Sequence, residues 1–112
     1  MPNRKISKED FKGLVLVYAA HADKVVKAVE VDTITRRTSK DIYERMSAVF
    51  TELGTVNAFK LLVRNKERHF PGPEGTKELL AAMTEVFMCD DEYHPDEEKL
   101  FEAMKNIFTQ LR

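Results

Sequence analysis

The sequence has few of the residues that form covalent or metal cross-links. It contains one cysteine in 112 residues. A single thiol, Cys89, excludes an internal disulfide and any zinc site built from several thiolates. Glycine and proline are also scarce, with four of each. Apart from Gly13 and Pro2, they lie between apolar segments rather than within them, and strand-like alternation of apolar and polar residues is absent.

The sequence also lacks a long apolar run. The longest, Leu14 to Ala20, has seven residues, whereas a membrane span needs about 20. The N-terminal residues Met1 to Asp10 contain no apolar segment or cleavage signature of a signal peptide. These absences favour a cytoplasmic protein without a membrane span.

A strong net charge is the third feature that is missing. The 18 Lys and Arg residues nearly balance the 19 Asp and Glu residues, which leaves a net charge of -1. That balance excludes a uniformly basic nucleic-acid binder. The two halves differ, however: residues 1–68 carry a net charge of +5 and residues 69–112 carry −6. Such an asymmetry points to local interaction surfaces.

Apolar residues recur at helical spacing in the first half of the chain. Ser7 predicts an N-cap, and a short second helix is expected over 28–36. Thr38 and Ser39 both offer the next N-cap, and Gly54 predicts a helix end because glycine readily takes the left-handed conformation. A further helix would then begin at Thr55. The predicted apolar stripes are Phe11, Leu14, Val15, Tyr18, Ala19 and Ala22, then Ile42, Met46, Val49, Phe50 and Leu53, then Val56, Phe59, Leu62 and Val63.

The second half shows two further helices. The stretch 70–75 is rich in Gly and Pro and predicts a loop, after which Thr76 would begin a helix. Pro95 suits the first position of the last helix. We therefore expect one all-α domain over 1–112, a compact bundle of five to six helices with 1–7 as a loose N-terminus. The apolar stripes here are Leu79, Leu80, Met83, Val86 and Phe87, then Leu100, Phe101, Met104, Ile107, Phe108 and Leu111.

Two segments of the chain match each other at an offset of 67 residues. In both, an apolar helix ends with a small residue that an aspartate follows, and a glutamate comes seven positions later. Asp23 and Glu30 form the first pair, and Asp90 and Glu97 form the second. This pattern predicts two helical hairpins with acidic turns, packed as pseudo-repeats.

The motif Tyr-Ala-Ala-x-Ala-Asp with a Glu seven residues after the Asp resembles the tellurite-resistance TerB-like family. The resemblance covers about Phe11 to Leu111, although Lys24 and Asp91 stand where the family has glycine. It implies an all-helical, non-enzymatic domain linked to tellurite resistance and the stress response, with metal binding as one reported property. The family's residues carry over only to the two Asp–Glu pairs.

The second acidic turn is a candidate metal site in its own right. Six carboxylates lie within nine residues, 90–98, with His94 between them. Oxygen-rich clusters suit calcium or magnesium, and an imidazole would suit zinc. An EF-hand loop starting at Asp90 fails, because Pro95 and Phe101 occupy its essential Gly and Glu positions. The tentative ligands of a divalent cation are Asp23, Glu30, Asp90 and Glu97, with Asp91 and His94 as further candidates. Equally, the same acids would serve as solvated caps of the turns and helix starts.

A basic stretch in the middle of the chain suggests an alternative partner. Lys60, Arg64, Lys66 and Arg68, followed by His69, would offer phosphate contacts to a nucleic acid. A solvated helix face explains the same charges.

The spacing of residues in the sequence does not bring a nucleophile, a general base and an oxyanion donor together. We therefore expect that the protein is not an enzyme. The expected function is a helical module that binds a protein partner, with a divalent cation at its acidic turns. A nucleic-acid-associated protein and a purely structural homo-oligomerisation domain are the alternatives.

Overall fold

A computed structural model describes residues 6–21, 28–88 and 95–110, with the side chains of 95–97 and 110 left out. All regular structure in the described ranges is helical, and no strand occurs there. The prediction of an all-α bundle is confirmed. The five helices are α1 (Lys8–Ala20), α2 (Ala28–Arg37), α3 (Lys40–His69), α4 (Gly72–Met88) and α5 (Pro95–Gln110).

Two serines cap helices: Ser7 is the cap that the sequence predicts, and Ser39 is the one of the two candidates, Thr38 and Ser39, that the structure selects. The Ser7 hydroxyl accepts a hydrogen bond from the Asp10 backbone N–H at 3.0 Å, and Ser39 accepts one from Ile42 at 3.0 Å. Each cap satisfies a backbone donor that has no partner inside its helix. Local hydrogen bonds therefore determine where α1 and α3 start, without the need for tertiary contacts.

Helix α1 is the centre of the bundle. It packs most extensively against α3 and also against α4. Eight of its 13 residues are buried. Leu16 and Val17, which lie outside the predicted stripe, are as fully buried as Phe11 and Leu14. A helix that is apolar on all sides must be surrounded by other elements, so the one-sided stripe predicted for α1 was too narrow.

Helix α3 contains a break at Gly54, where φ is 81° and ψ is 168°. This backbone conformation is essentially restricted to glycine. The predicted interruption at Gly54 is confirmed, although helical structure resumes at once and the span Lys40–His69 is otherwise continuous. The apolar stripe predicted after the break is only partly buried: Leu62 is fully buried, whereas Val56 is 67% exposed.

Helix α4 begins at Gly72, so the predicted loop over 70–75 and the predicted start at Thr76 were wrong. Pro73 fits the first helical turn, because N–H groups there have no intrahelical acceptor and the proline ring presets φ. Gly75 allows the turn to approach the preceding chain closely. A Cβ added at Gly75 would lie 2.1 Å from the carbonyl oxygen of Phe70.

A few polar contacts connect the helices of the bundle. Arg45 of α3 donates two hydrogen bonds to Asp10 of α1, at 3.0 and 2.9 Å. Arg37 of α2 forms an ion pair with Glu85 of α4. Helix α5 starts at Pro95, as predicted, and packs on α4. The order α1–α2 and α4–α5 suits the predicted two hairpins, whose turns at 22–27 and 89–94 lie outside the described residues.

Candidate interaction surface

Most of the predicted metal ligands lie outside the described residues. Asp23, Asp90, Asp91 and His94 are among them, and so is the side chain of Glu97, whose backbone belongs to α5. The structure therefore neither assembles nor separates the two predicted Asp–Glu pairs.

Glu30 is the one predicted metal ligand whose side chain is described. It lies in the first turn of α2 and is 1% exposed. A buried carboxylate is costly unless it is paired, and Glu30 does interact with a partner in the fold. Within the described ranges, no three His, Cys, Asp or Glu side chains gather in the way a metal site would need. Metal binding at the acidic turns stays a prediction.

In the structure, some residues of the predicted basic surface are exposed and one is buried. Lys60, Arg64 and Arg68 are exposed and follow one another at intervals of four along α3, which places them on one face. Lys66 is fully buried. Since it lies two residues after Arg64, it points away from that face, and its burial removes it from the predicted phosphate-binding set.

Lys66 instead joins the end of α3 to α4 and α5. Its Nζ donates hydrogen bonds to the Glu67 carboxylate at 2.7 Å and to the Gly72 carbonyl at 3.2 Å. The same ammonium lies 5.9 Å from the ring centroid of Phe108. These contacts explain how a lysine is accommodated inside the bundle, because each compensates part of the lost hydration.

A cluster of half-buried aromatic rings lies beside the break in α3. Tyr18 contacts Phe50 edge-on, with ring centroids 5.9 Å apart, and its ring lies 6.0 Å from that of Phe59. His21 stacks on Phe50 at 4.3 Å. Val56, one turn before Phe59 on the same helix, is the most exposed large apolar side chain of the described residues. We call Tyr18, His21, Phe50, Val56 and Phe59 the kink surface.

The aromatic side chains of the kink surface are held in place by the bundle. His21 Nδ1 lies 2.8 Å from the Val17 carbonyl oxygen. Because a carbonyl oxygen can only accept, Nδ1 carries the proton, and this bond fixes the ring orientation. Burial raises the pKa of the Tyr18 phenol, which keeps that ring neutral. The surface is thus apolar, aromatic and supported by two helices.

Helix α3 also meets a simple criterion for a membrane-spanning helix. By length and composition alone, α3 is apolar enough to cross a membrane, and within the described ranges it is the one helix of which this holds. Core helices of soluble proteins pass the same test, and Phe50, Leu53 and Phe59 of α3 pack against the core of the bundle.

Sequence reasoning found some members of the kink surface but not their arrangement. Tyr18, Phe50, Val56 and Phe59 were all predicted as parts of buried stripes, and His21 belonged to none of them. One signal was present: Val56 follows the predicted break at Gly54, where a new helix direction begins. Spacing alone does not say whether another helix covers the resulting face.

No protein-family model matches the chain, and neither a curated protein nor a solved structure shows significant similarity to it. The resemblance to TerB-like domains therefore stays a prediction from the two acidic motifs.

Proposed function

We propose that this chain is a non-enzymatic helical module that binds a protein partner through the kink surface. One observation carries the proposal: Val56 is 67% exposed one helical turn before Phe59, whose half-buried ring packs against Tyr18. Contiguous exposed apolar patches on soluble proteins commonly serve as interaction sites.

The composition of the kink surface supports a protein as the partner. Aromatic side chains contribute a large contact area with few rotatable bonds, so they lose little conformational entropy on binding. The ring contacts at 4.3–6.0 Å already order Tyr18, His21 and Phe50 in the free chain. Exposed polar side chains such as Asn57 and Lys60 lie next to Val56 along α3, as in the polar rim of an interface.

The resemblance to TerB-like domains supplies the proposed context, which is a cytoplasmic role in tellurite resistance or stress. In that context a divalent cation would bind at the acidic turns. Asp23 follows His21 by two residues in the sequence. Neutralising the first turn would therefore act next to the kink surface and bias what it presents to a partner.

The basic face of α3 keeps a second candidate function open. Lys60, Arg64 and Arg68 remain exposed, and none of them forms an ion pair with another described residue. Three such charges could contact successive phosphates of a nucleic acid. Fluorescence anisotropy at low salt with labelled single-stranded and duplex DNA tests this function. Binding that Lys60→Gln and Arg64→Gln weaken would favour it, and absence of binding would exclude it.

The proposed partner site can be tested by photo-crosslinking in cells that naturally express the protein. A benzoylphenylalanine would replace Val56 in one variant and Glu44 in a control variant. Glu44 is exposed on α3 before the break and outside the kink surface. The proposal predicts a discrete crosslinked product of higher mass from position 56 and none from position 44.

The mass of that product separates the alternatives. A product that contains a different protein supports the proposed module. A product of two identical chains would instead favour the homo-oligomerisation domain. Identical products from both positions, or no product from position 56, would contradict the kink surface as a binding site.

A further inference from the structure

A second feature of the molecule, which shares no residue with the kink surface, is a pocket between α4 and α5. Its volume is about 230 Å³. One face of α4 and one face of α5 form its walls. The lining residues are Gly72, Pro73, Thr76, Lys77, Leu80, Lys105, Phe108 and Thr109.

The interior of the pocket is mainly apolar. Pro73 is exposed and Leu80 is partly exposed at the pocket, whereas Phe108 is only 1% exposed and lies behind them. The Thr76 hydroxyl is used within the fold, since it lies 3.2 Å from the Gly72 carbonyl and 3.4 Å from the Phe108 carbonyl. An apolar cavity of about 150 Å³ can already hold a benzene-sized molecule. The pocket is therefore large enough for an apolar body of about ten heavy atoms.

The charged residues at the pocket are basic, whereas the part of the sequence that contains them is mainly acidic. Residues 69–112 contain ten acidic residues and four basic ones. Two of those four, Lys77 and Lys105, line this one pocket, and no acidic residue of the described ranges does. Neither lysine forms an ion pair with another described residue. The more acidic part of the chain thus brings two cations, neither paired within the described ranges, to one mainly apolar cavity.

The dipoles of α4 and α5 do not change the positive sign of the charge at the pocket. The pocket lies at the first turn of α4, which is the positive end of its dipole, and at the last turns of α5, which are the negative end. These two dipole ends oppose each other, so the lysines determine the sign of the potential. Behind the pocket, the ammonium of buried Lys66 lies on the Phe108 ring.

We infer that this pocket binds a small amphipathic anion of about ten heavy atoms in all, which has one negative charge at the end of an apolar chain. The apolar chain lies against Pro73 and Leu80, and the anionic group lies between Lys77 and Lys105. Medium-chain carboxylates belong to this chemical class. Apolar burial supplies most of the affinity, whereas the lysines select the charge, because exposed ion pairs contribute little free energy.

Sodium octanoate is a suitable probe, titrated into the full chain and followed by ¹H–¹⁵N NMR. A ligand of this size is expected to bind with a dissociation constant of about 0.1–1 mM. The shifted resonances should belong to residues of the pocket walls. Octanamide, with the same chain and no charge, should bind at least about threefold more weakly. Acetate, with the charge and no apolar chain, should cause no saturable shifts.

Variants separate the pocket lysines from general surface charge. Lys77→Gln combined with Lys105→Gln should weaken octanoate binding at least about threefold. Lys99→Gln provides the matched control, since Lys99 is also exposed on α5 but does not line the pocket. The inference is overturned if octanoate causes no saturable shifts, if octanamide binds equally well, or if Lys99→Gln weakens binding as much as the double variant. None of these results would affect the kink surface.

Discussion

At the scale of single residues, the junction between α3 and α4 depends on two unusual positions. Lys66 is buried, and it donates one hydrogen bond across the junction to the Gly72 carbonyl and another to the carboxylate of its neighbour Glu67 on α3. Gly75 brings the first turn of α4 against the backbone of Phe70. Neither feature can be read from the sequence. Lysine is normally exposed, and Gly75 lay in a segment whose composition predicts a loop.

Gly75→Ala should destabilise the protein more than an ordinary glycine replacement. The new Cβ would meet the Phe70 carbonyl oxygen at 2.1 Å, and because this neighbour is backbone, the start of α4 must shift. We expect a loss of about 2 kcal/mol or more in the free energy of unfolding, measured by urea denaturation.

Gly13→Ala is the matched comparison for that variant. Its new Cβ would meet a side-chain atom, Ile42 Cγ2, at 2.5 Å, and the gain in helix propensity offsets part of the strain. The loss in the free energy of unfolding should be smaller for Gly13→Ala than for Gly75→Ala. A Gly75→Ala variant as stable as the wild type would mean that the α3–α4 contact is not constrained as described.

At the scale of elements, local signals predicted helix ends better than helix faces. The cap at Ser7 and the break at Gly54 were predicted correctly, and the second cap was narrowed to Thr38 or Ser39, because each depends on the chemistry of a few adjacent residues. The loop expected over 70–75 was wrong, since Pro73 is as compatible with a first helical turn as with a loop. The exposure of Val56 was not predictable, because it depends on which elements pack around α3.

Gly54→Ala should destabilise the protein, since alanine cannot readily adopt φ 81° and ψ 168°. Conformations of this kind cost non-glycine residues about 1–3 kcal/mol. We expect a loss of that size in the free energy of unfolding. Lys60→Ala, at an exposed position on the same helix, should change stability by less than about 0.5 kcal/mol. A Gly54→Ala variant as stable as Lys60→Ala would show that α3 tolerates a straight path.

At the scale of the whole molecule, the near-zero net charge results from two opposed halves that are joined in the fold. Arg37 belongs to the basic half and Glu85 to the acidic half, and their ion pair connects α2 with α4. The hydrogen bond from Arg37 lowers the pKa of the Glu85 carboxyl below its ordinary value of 4.5. The sequence showed the asymmetry, but the pairing of residues 48 positions apart required the fold.

The lowered pKa of Glu85 predicts a small dependence of stability on pH. A carboxyl whose pKa is lower in the folded state stabilises the fold above its unfolded pKa, and this contribution is lost as pH falls through the folded pKa. Both side chains are over 40% exposed, so the contribution should be about 0.5 kcal/mol. Chemical denaturation should show Glu85→Gln less stable than wild type at pH 7, and the difference should vanish below the ordinary glutamate range. A difference that persists unchanged at pH 3 would exclude this ion pair as its cause.

The pocket between α4 and α5 also belongs to the scale of the whole molecule. Lys77 and Lys105 lie 28 residues apart in the sequence, and nothing in their local surroundings distinguishes them from solvated surface charges. Only the packing of α5 on α4 brings them to one cavity. The kink surface likewise unites Tyr18 with Phe59 across two helices. Single-chain patterns predicted the elements, whereas both candidate sites arise from tertiary packing.

The proposed function rests on the kink surface being free in the isolated chain and covered by a partner in the cell. The single native cysteine allows a direct measurement, because Cys89→Ala combined with Val56→Cys leaves one thiol at the kink surface. Its rate of reaction with a cell-permeable maleimide is compared in purified protein and in cells that naturally express the protein. A second variant, Cys89→Ala combined with Glu44→Cys, provides the control. Relative to this control, the thiol at position 56 should react several-fold more slowly in cells than in purified protein. Equal relative rates in both settings would contradict the kink surface as a partner-binding site.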